Sequence, residues 1–284
     1  MPTPRRIYLD NAATSWPKPQ AVYDAVDRYQ REVGAPAGRG AYAAGSEVAR
    51  VVAACRRDIA DLIGAGDPRR IAFGFNGTDV LNIALHGLLG GGGHVVTTVV
   101  EHNSVLRPLR WLQDHRGVSV TYIDCNAEGV VAATDVADAI RPDTSAVVVT
   151  HASNVTGAIQ PVAEIGRSVR ETEACFLVDA AQSMGHVDVD VDEMQIDLLA
   201  ASGHKGLLGP LGSGVLYIAP EIEDKVDSFR QGGTGTQSEA DLHPCELQHK
   251  FEAGNLNVPA IFGLAAGVAY LKEQGCDQIR EHET

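Results

Sequence analysis

The stretch DLLAASGHKGLLGPLGSG, residues 197–214, decides the fold. It opens on an apolar run of the kind found in strands covered on both faces. It then changes abruptly to Ser202, His204 and Lys205 set among glycines. A lysine just past the end of a parallel strand sits where α/β sheets bind ligands. It becomes a nucleophile if its surroundings lower its pKa, and flanking glycines let the backbone approach a ligand closely. Ser202 and His204 can donate hydrogen bonds to a phosphate. Taken alone, a lysine in a glycine-rich turn is more often a plain surface residue.

Four other segments point the same way. FLVDAAQSMG (176–185) places Asp179 directly after strand-like residues. A carboxylate there can pair with a protonated ring nitrogen, as pyridoxal 5'-phosphate (PLP) requires to act as an electron sink. Gln182, one helical turn on, can reach a ring hydroxyl. An aspartate that caps a following helix fits the same residues. FNGTDVLN (75–82) joins a strand to a helix. Gly77 and Thr78 at the helix start offer amides and a hydroxyl to a phosphate, or Thr78 is an ordinary cap. In EHNSVLRPL (101–109), His102 can stack on a flat ring or simply cap a helix. In ASNVTG (152–157), Asn154 can touch a ring oxygen or serve a turn. All five segments follow predicted strands, so they share one sheet edge. Together they supply a Schiff-base lysine, a partner for a ring nitrogen, a stacking ring and a phosphate cradle.

Periodicity extends the pattern outward. Helical spacing covers 21–33, a glycine-rich stretch covers 34–45, and a second helix is predicted over 46–63 with Ser46 as its N-cap. Strands are predicted over 71–75, 94–100, 118–123, 146–150, 175–178, 198–201 and 214–218. Helices are predicted between them over 79–89, 105–115, 136–140 and 163–172. The fold class is α/β, with a mainly parallel seven-stranded sheet and helices on both faces. Residues 230–257 form a long polar loop, 259–274 a helix, and the remainder a polar helical stretch.

Composition sets outer bounds. The 284 residues carry a formal net charge of -14, which repels nucleic acid and anionic membranes but not a small anion held by local amides. No apolar run reaches the ~20 residues of a membrane span, and no signal peptide is visible, so a cytoplasmic location is expected. The five cysteines are scattered and form no CxxC pair, which fits reduced thiols. Cys55 and Cys175 fall on apolar faces and are assigned to the core. His243, Cys245 and His249 invite a metal, but zinc prefers a fourth ligand and more regular spacing, so no metal site is expected.

The ordered motifs IYLDNAATSWPKP (7–19), GRGAYA (38–43), GTDVLN, EHNSVLRPL, THASNVTG, VDAAQSMGHVDVDV, SGHKGLLGPLGSGVLY and FEAGNLN give the chain a likeness to a known family. It resembles the class V aminotransferases, and among them the cysteine desulfurase and selenocysteine lyase group. The resemblance implies a type I PLP fold, with a segment 1–20, a PLP-binding domain over 21–260, and a helix from 261 leading to a small domain. It implies PLP held by Lys205 as a Schiff base. The phosphate would lie on Gly77, Thr78, Ser202 and His204. Asp179 would sit on the pyridine nitrogen, Asn154 and Gln182 on the ring oxygen, and His102 on the ring face. It also implies a homodimer, L-cysteine as substrate and a sulfur-acceptor protein as partner.

The chain departs from the family at Asn255, where FEAGT has a threonine that contacts a partner's phosphate. Full-length relatives extend about a hundred residues further, roughly one small domain. That part bears the sulfur-accepting cysteine and a substrate-binding arginine, so the chain is expected to act poorly alone. Rival expectations are another class V reaction, such as transamination or a β-lyase step, and an inactive partner of a complete relative.

Overall fold

The computed structural model describes residues 7–38, 42–236, 239 and 241–283. Helix α1 (Gln20–Arg28) runs into a π-helical turn, Tyr29–Val33, which stops at Gly34 with φ 55°. α2 (Ala43–Leu62) follows. Strand and helix then alternate: β1 (Ile71–Gly74), α3 (Gly77–Leu89), β2 (Gly93–Thr98), α4 (Asn103–Arg116), β3 (Val118–Ile123), α5 (Ala133–Ala139), β4 (Thr144–Thr150), α6 (Val162–Arg170) and β5 (Cys175–Asp179). β6 (Leu198–Ser202) and β7 (Gly214–Ile218) complete the sheet, and α7 (Leu247–Phe251), α8 (Val258–Gln274) and α9 (Cys276–Glu283) close the chain.

The seven strands form one mixed sheet in the order β1-β7-β6-β5-β4-β2-β3. β7 runs antiparallel to both its neighbours, while the pairs β2–β3, β2–β4, β4–β5 and β5–β6 are parallel. Six strands therefore point one way, and their carboxyl ends share one edge. The central strands are apolar up to their carboxyl ends because both faces are covered: Phe176, Leu177, Val178, Leu198 and Leu199 are all fully buried. α8 packs against α1 and α2. It buries Ile261, Phe262, Leu264, Val268 and Leu271, each contributing about 1.5–3 kcal/mol of transfer free energy.

Several boundaries differ from the expectation, among them α5, which runs Ala133–Ala139 and not 136–140, two further helix starts and the polar loop. α2 begins at Ala43, not Ser46, and the Ser46 N–H bonds back to the Tyr42 carbonyl as an ordinary helical residue. Ala43 and Ala44, strong helix formers, extend the helix backwards. Arg39, Gly40 and Ala41 of the GRGAYA motif lie outside the described residues. α3 begins at Gly77 because Asn76 caps it, accepting from the Asp79 N–H at 2.9 Å. The Asp79 carboxylate in turn accepts from Phe75 N–H at 2.7 Å, a near-reciprocal cap. Within 230–257 a short helix, α7, interrupts the loop, and Gln237, Ser238 and Ala240 there are outside the described residues.

Among the described residues no helix is long and apolar enough to cross a membrane. No group of three or more His, Cys, Asp or Glu residues among them is placed to hold a metal. His243 instead faces the Gly232 amide and the Lys250 carbonyl. Cys55 and Cys175 are buried in the core, and burial pushes both thiols up.

Candidate functional site

A cavity of about 690 Å³ opens at the carboxyl edge of the sheet. Its wall takes Gly77 and Thr78 from the start of α3, His102 from the turn after β2, and Asn154 from the loop after β4. Asp179 ends β5, Gln182 follows in the next turn, and Ser202, His204 and Lys205 come from the end of β6 and its turn. Every residue singled out for cofactor binding in the sequence is therefore in this one wall.

The lysine stands on a tight turn. Gly203 N–H donates to the Ser213 carbonyl at 2.9 Å, Gly209 N–H to the Gly203 carbonyl at 2.8 Å, and Leu208 N–H to the Lys205 carbonyl at 2.9 Å. Leu208 adopts a left-handed backbone with φ 58°, a conformation costly for a bulky residue and found where surrounding structure enforces it. Lys205 is half-buried. Burial lowers its pKa and so favours the free amine, while the Asp179 carboxylate pulls the pKa back up.

Asp179 is buried at 3% exposure. Its side chain makes one hydrogen bond among the described residues, accepting the Ala181 N–H at 2.9 Å. Burial raises its pKa, and the Ala181 N–H, Lys205 and His102 oppose that rise. The lysine and the carboxylate thus feel each other across the cavity. The aspartate also uses its own loop as an Asx turn, so the capping expectation and the ligand expectation coexist in one residue.

At the other end, Gly77 faces Ser202. A Cβ on residue 77 would lie 2.4 Å from Ser202 Oγ, so only glycine lets Ser202 pack this close to the helix start. Thr78 Oγ1 lies 2.7 Å from Ser104 Oγ, and Ser104 Oγ lies 2.8 Å from His102 Nδ1. His102 also caps α4, its Nδ1 accepting from the Ser104 N–H at 3.1 Å. His204 is pushed down to about 4 by burial, with Lys205 and Lys18 adding to the effect, so its imidazole is neutral. Its Nδ1 is buried with no hydrogen-bond partner among the described residues. Gln182 Nε2 donates to the Ala12 carbonyl at 2.9 Å, and Asn154 is exposed on the rim.

Several site residues escaped the sequence reading. Ser104 links the helix starts of α3 and α4, and the run EHNS placed it two residues from a flagged histidine. Glu101 is buried beneath the wall, where its carboxylate accepts from Thr98 Oγ1 at 2.7 Å and from Thr150 N–H at 2.9 Å. Burial pushes it up to about 8, opposed by those two hydrogen bonds and reinforced by Asp179. Thr14, Ser15 and Lys18 lie against the Lys205 turn, and nothing in their local spacing announces a contact so distant in sequence.

A family model for class-V aminotransferases matches residues 7–284. The chain belongs to the class-V aminotransferase family. Among curated class-V relatives, a Methanothermobacter thermautotrophicus protein named "Probable cysteine desulfurase" is 38% identical over 281 residues. The match takes in 97% of this chain and 69% of that protein. The solved apo cysteine desulfurase of Thermococcus onnurineus superposes with a TM-score of 0.90 at 36% identity, over 98% of this chain and 70% of the other. SspA, solved in complex with cysteine, superposes at 0.82 with 31% identity, over 93% of this chain and 72% of its own. The class-V match also fits the topology: a sheet whose ligand edge gathers residues from five separate strand ends.

Proposed function

We propose that this chain binds PLP through Lys205 and acts on L-cysteine as a cysteine desulfurase, releasing alanine and passing the sulfur to a thiol. The single observation that carries the proposal is the placement of Lys205 and Asp179 in one cavity, each altering the other's ionisation. The relatives named cysteine desulfurase, and the neighbour solved with cysteine, favour this substrate over other amino acids.

The residues present fit the cofactor. The cavity volume, about 690 Å³, is that of a small-molecule site. The missing Cβ at Gly77 lets the Ser202 hydroxyl lie against a helix N-terminus, where a phosphate is favoured. His204 Nδ1 is a buried polar atom that lacks a partner among the described residues. Gly77, Thr78, Ser202 and His204 would hold the phosphate. Asp179 would keep a proton on the ring nitrogen, His102 would cover the ring, and Asn154 and Gln182 would flank its oxygen. When bound, the cofactor supplies an electron-accepting ring for the pair left at the amino acid's α-carbon. Lys205 serves first as the binding amine and then as the base that moves the α-proton, a task its lowered pKa suits.

Among the described residues no cysteine lines the cavity, so the proposal takes its accepting thiol from outside this wall. A homodimer is part of the proposal, with the resemblance as its support. The test is direct: incubate the PLP-loaded chain with L-cysteine, with and without a thiol acceptor, and quantify alanine, sulfide and keto acid. Alanine with equimolar sulfur release supports desulfuration. A keto acid without sulfide overturns it in favour of transamination.

A further inference from the structure

The backbone oxygen of His204, the residue before the lysine, is crowded with donors. Lys18 Nζ lies 2.7 Å away, Thr14 Oγ1 3.0 Å, and both Ser15 N and Ser15 Oγ 3.2 Å. A carbonyl oxygen has two lone pairs, so these donors compete and the shortest contacts dominate. The Ser15 hydroxyl has one proton. It lies 2.9 Å from the Lys205 carbonyl, closer than to that of His204, and 2.6 Å from Lys18 Nζ. An order follows: Lys18 donates to the His204 carbonyl and to Ser15 Oγ, and Ser15 donates to the Lys205 carbonyl. The two peptide planes that flank Lys205 Cα are thereby pinned from the N-terminal segment.

Lys18 is otherwise hard to explain. It is half-buried, burial pulls it down to about 8, and no carboxylate pairs with it among the described residues. A desolvated ammonium without an anion costs stability unless its hydrogen bonds serve something. Its two acceptors, the Ser15 hydroxyl and the His204 carbonyl, both lead to Lys205.

We propose that Lys18 is a positioning residue for Lys205, fixing through Ser15 and the His204 carbonyl the direction in which the Lys205 side chain enters the cavity. This rests on Lys205 being the cofactor lysine. The clamp can be tested on the full chain with Lys18→Met and Lys18→Arg. The first readout uses no cofactor: the pH profile for labelling of Lys205 by an amine-reactive anhydride, read by peptide mass, with Lys225 and Lys250 as internal controls. The second is PLP affinity from visible absorbance. Asp179, the charged group facing Lys205, is the same in every variant.

Lys18→Met is expected to raise the labelling midpoint of Lys205 as its side chain relaxes toward water, and to weaken PLP binding about tenfold, the scale of one charge-assisted hydrogen bond. Lys18→Arg should retain most of both. If Lys18→Met alters the labelling of the exposed Lys225 and the part-buried Lys250 as well, the milder Ser15→Ala carries the test, with a shift in the same direction. An unchanged midpoint and affinity overturn the clamp. PLP bound through Lys205 with an unshifted midpoint removes the clamp alone. A shifted midpoint without PLP on Lys205 removes the cofactor assignment alone.

Discussion

The two ends of the same sheet treat buried histidines in opposite ways. Toward the amino end, His94 is fully buried and both ring nitrogens are used, on Thr144 Oγ1 at 2.8 Å and Thr121 Oγ1 at 2.9 Å. At the carboxyl end, His151 and His204 each leave Nδ1 buried without a partner among the described residues, and both are pushed down to about 4, chiefly by burial. A satisfied histidine ties strands together. An unsatisfied one costs stability, and a site of stored cost is where a ligand finds its partners. Glu101 and Asp179, both raised by burial, sit at the carboxyl end too, whereas among carboxylates the amino end has its own raised group in Asp197.

Four substitutions bear on that contrast. The largest effect is expected from Lys205→Ala, which should abolish the visible PLP band and lower cysteine turnover about 10²–10⁴-fold. Steady-state alanine release measures it, and turnover within a few fold of the parent would remove the carboxyl end's claim to be the reactive one. Asp179→Asn should cost about 10²-fold in turnover, on the scale of lost electrostatic stabilisation. Its apo thermal midpoint should hold or rise, because a buried charge is removed. A lowered midpoint with full turnover would make Asp179 a structural residue.

His94→Ala is expected to do the reverse, destabilising the chain by about 2–3 kcal/mol in denaturant titration by emptying a buried site and losing the bonds to Thr144 and Thr121, while PLP affinity stays unchanged. Loss of PLP affinity there would erase the distinction between the two ends. Glu101→Gln sharpens the same point through pH. Glu101 is raised from an ordinary value of 4.5 to about 8, so the folded chain keeps a proton that the unfolded chain releases. Stability from this group is present below about pH 4.5 and lost as pH rises toward about 8. Glutamine, a neutral mimic, should flatten that part of the apo melting profile. An identical pH slope in the variant would show that Glu101 is ionised in the fold.

Much of the fold was legible because strand chemistry is local. The runs 118–123 and 214–218 agree with β3 and β7 at both ends. The antiparallel placement of β7 was not legible, since Gly214–Ile218 has the same apolar character as its parallel neighbours and direction is set by the connection. The helix start at Asn76 was missed because Thr78 is as good a cap in isolation, and only the Asp79 side chain decides between them. At the site, residues just past strand ends were found because position and chemistry coincide there. Thr14, Ser15 and Lys18 were not, because their contacts with the Lys205 turn span 186 to 190 positions and leave no periodic trace. Glu101, within EHNSVLRPL, carries no sequence signal of its role, since burial of a carboxylate cannot be read from its neighbours.

The measurement that bears most directly on Lys205 and Asp179 sharing one ligand is borohydride reduction of the PLP-loaded chain followed by peptide mass mapping. The chain has five lysines: Lys18, Lys205, Lys225, Lys250 and Lys272. The account predicts the pyridoxyl mass on Lys205 alone, with its yield sharply reduced in Asp179→Asn. The mass on any other lysine, or an undiminished yield in that variant, would contradict it.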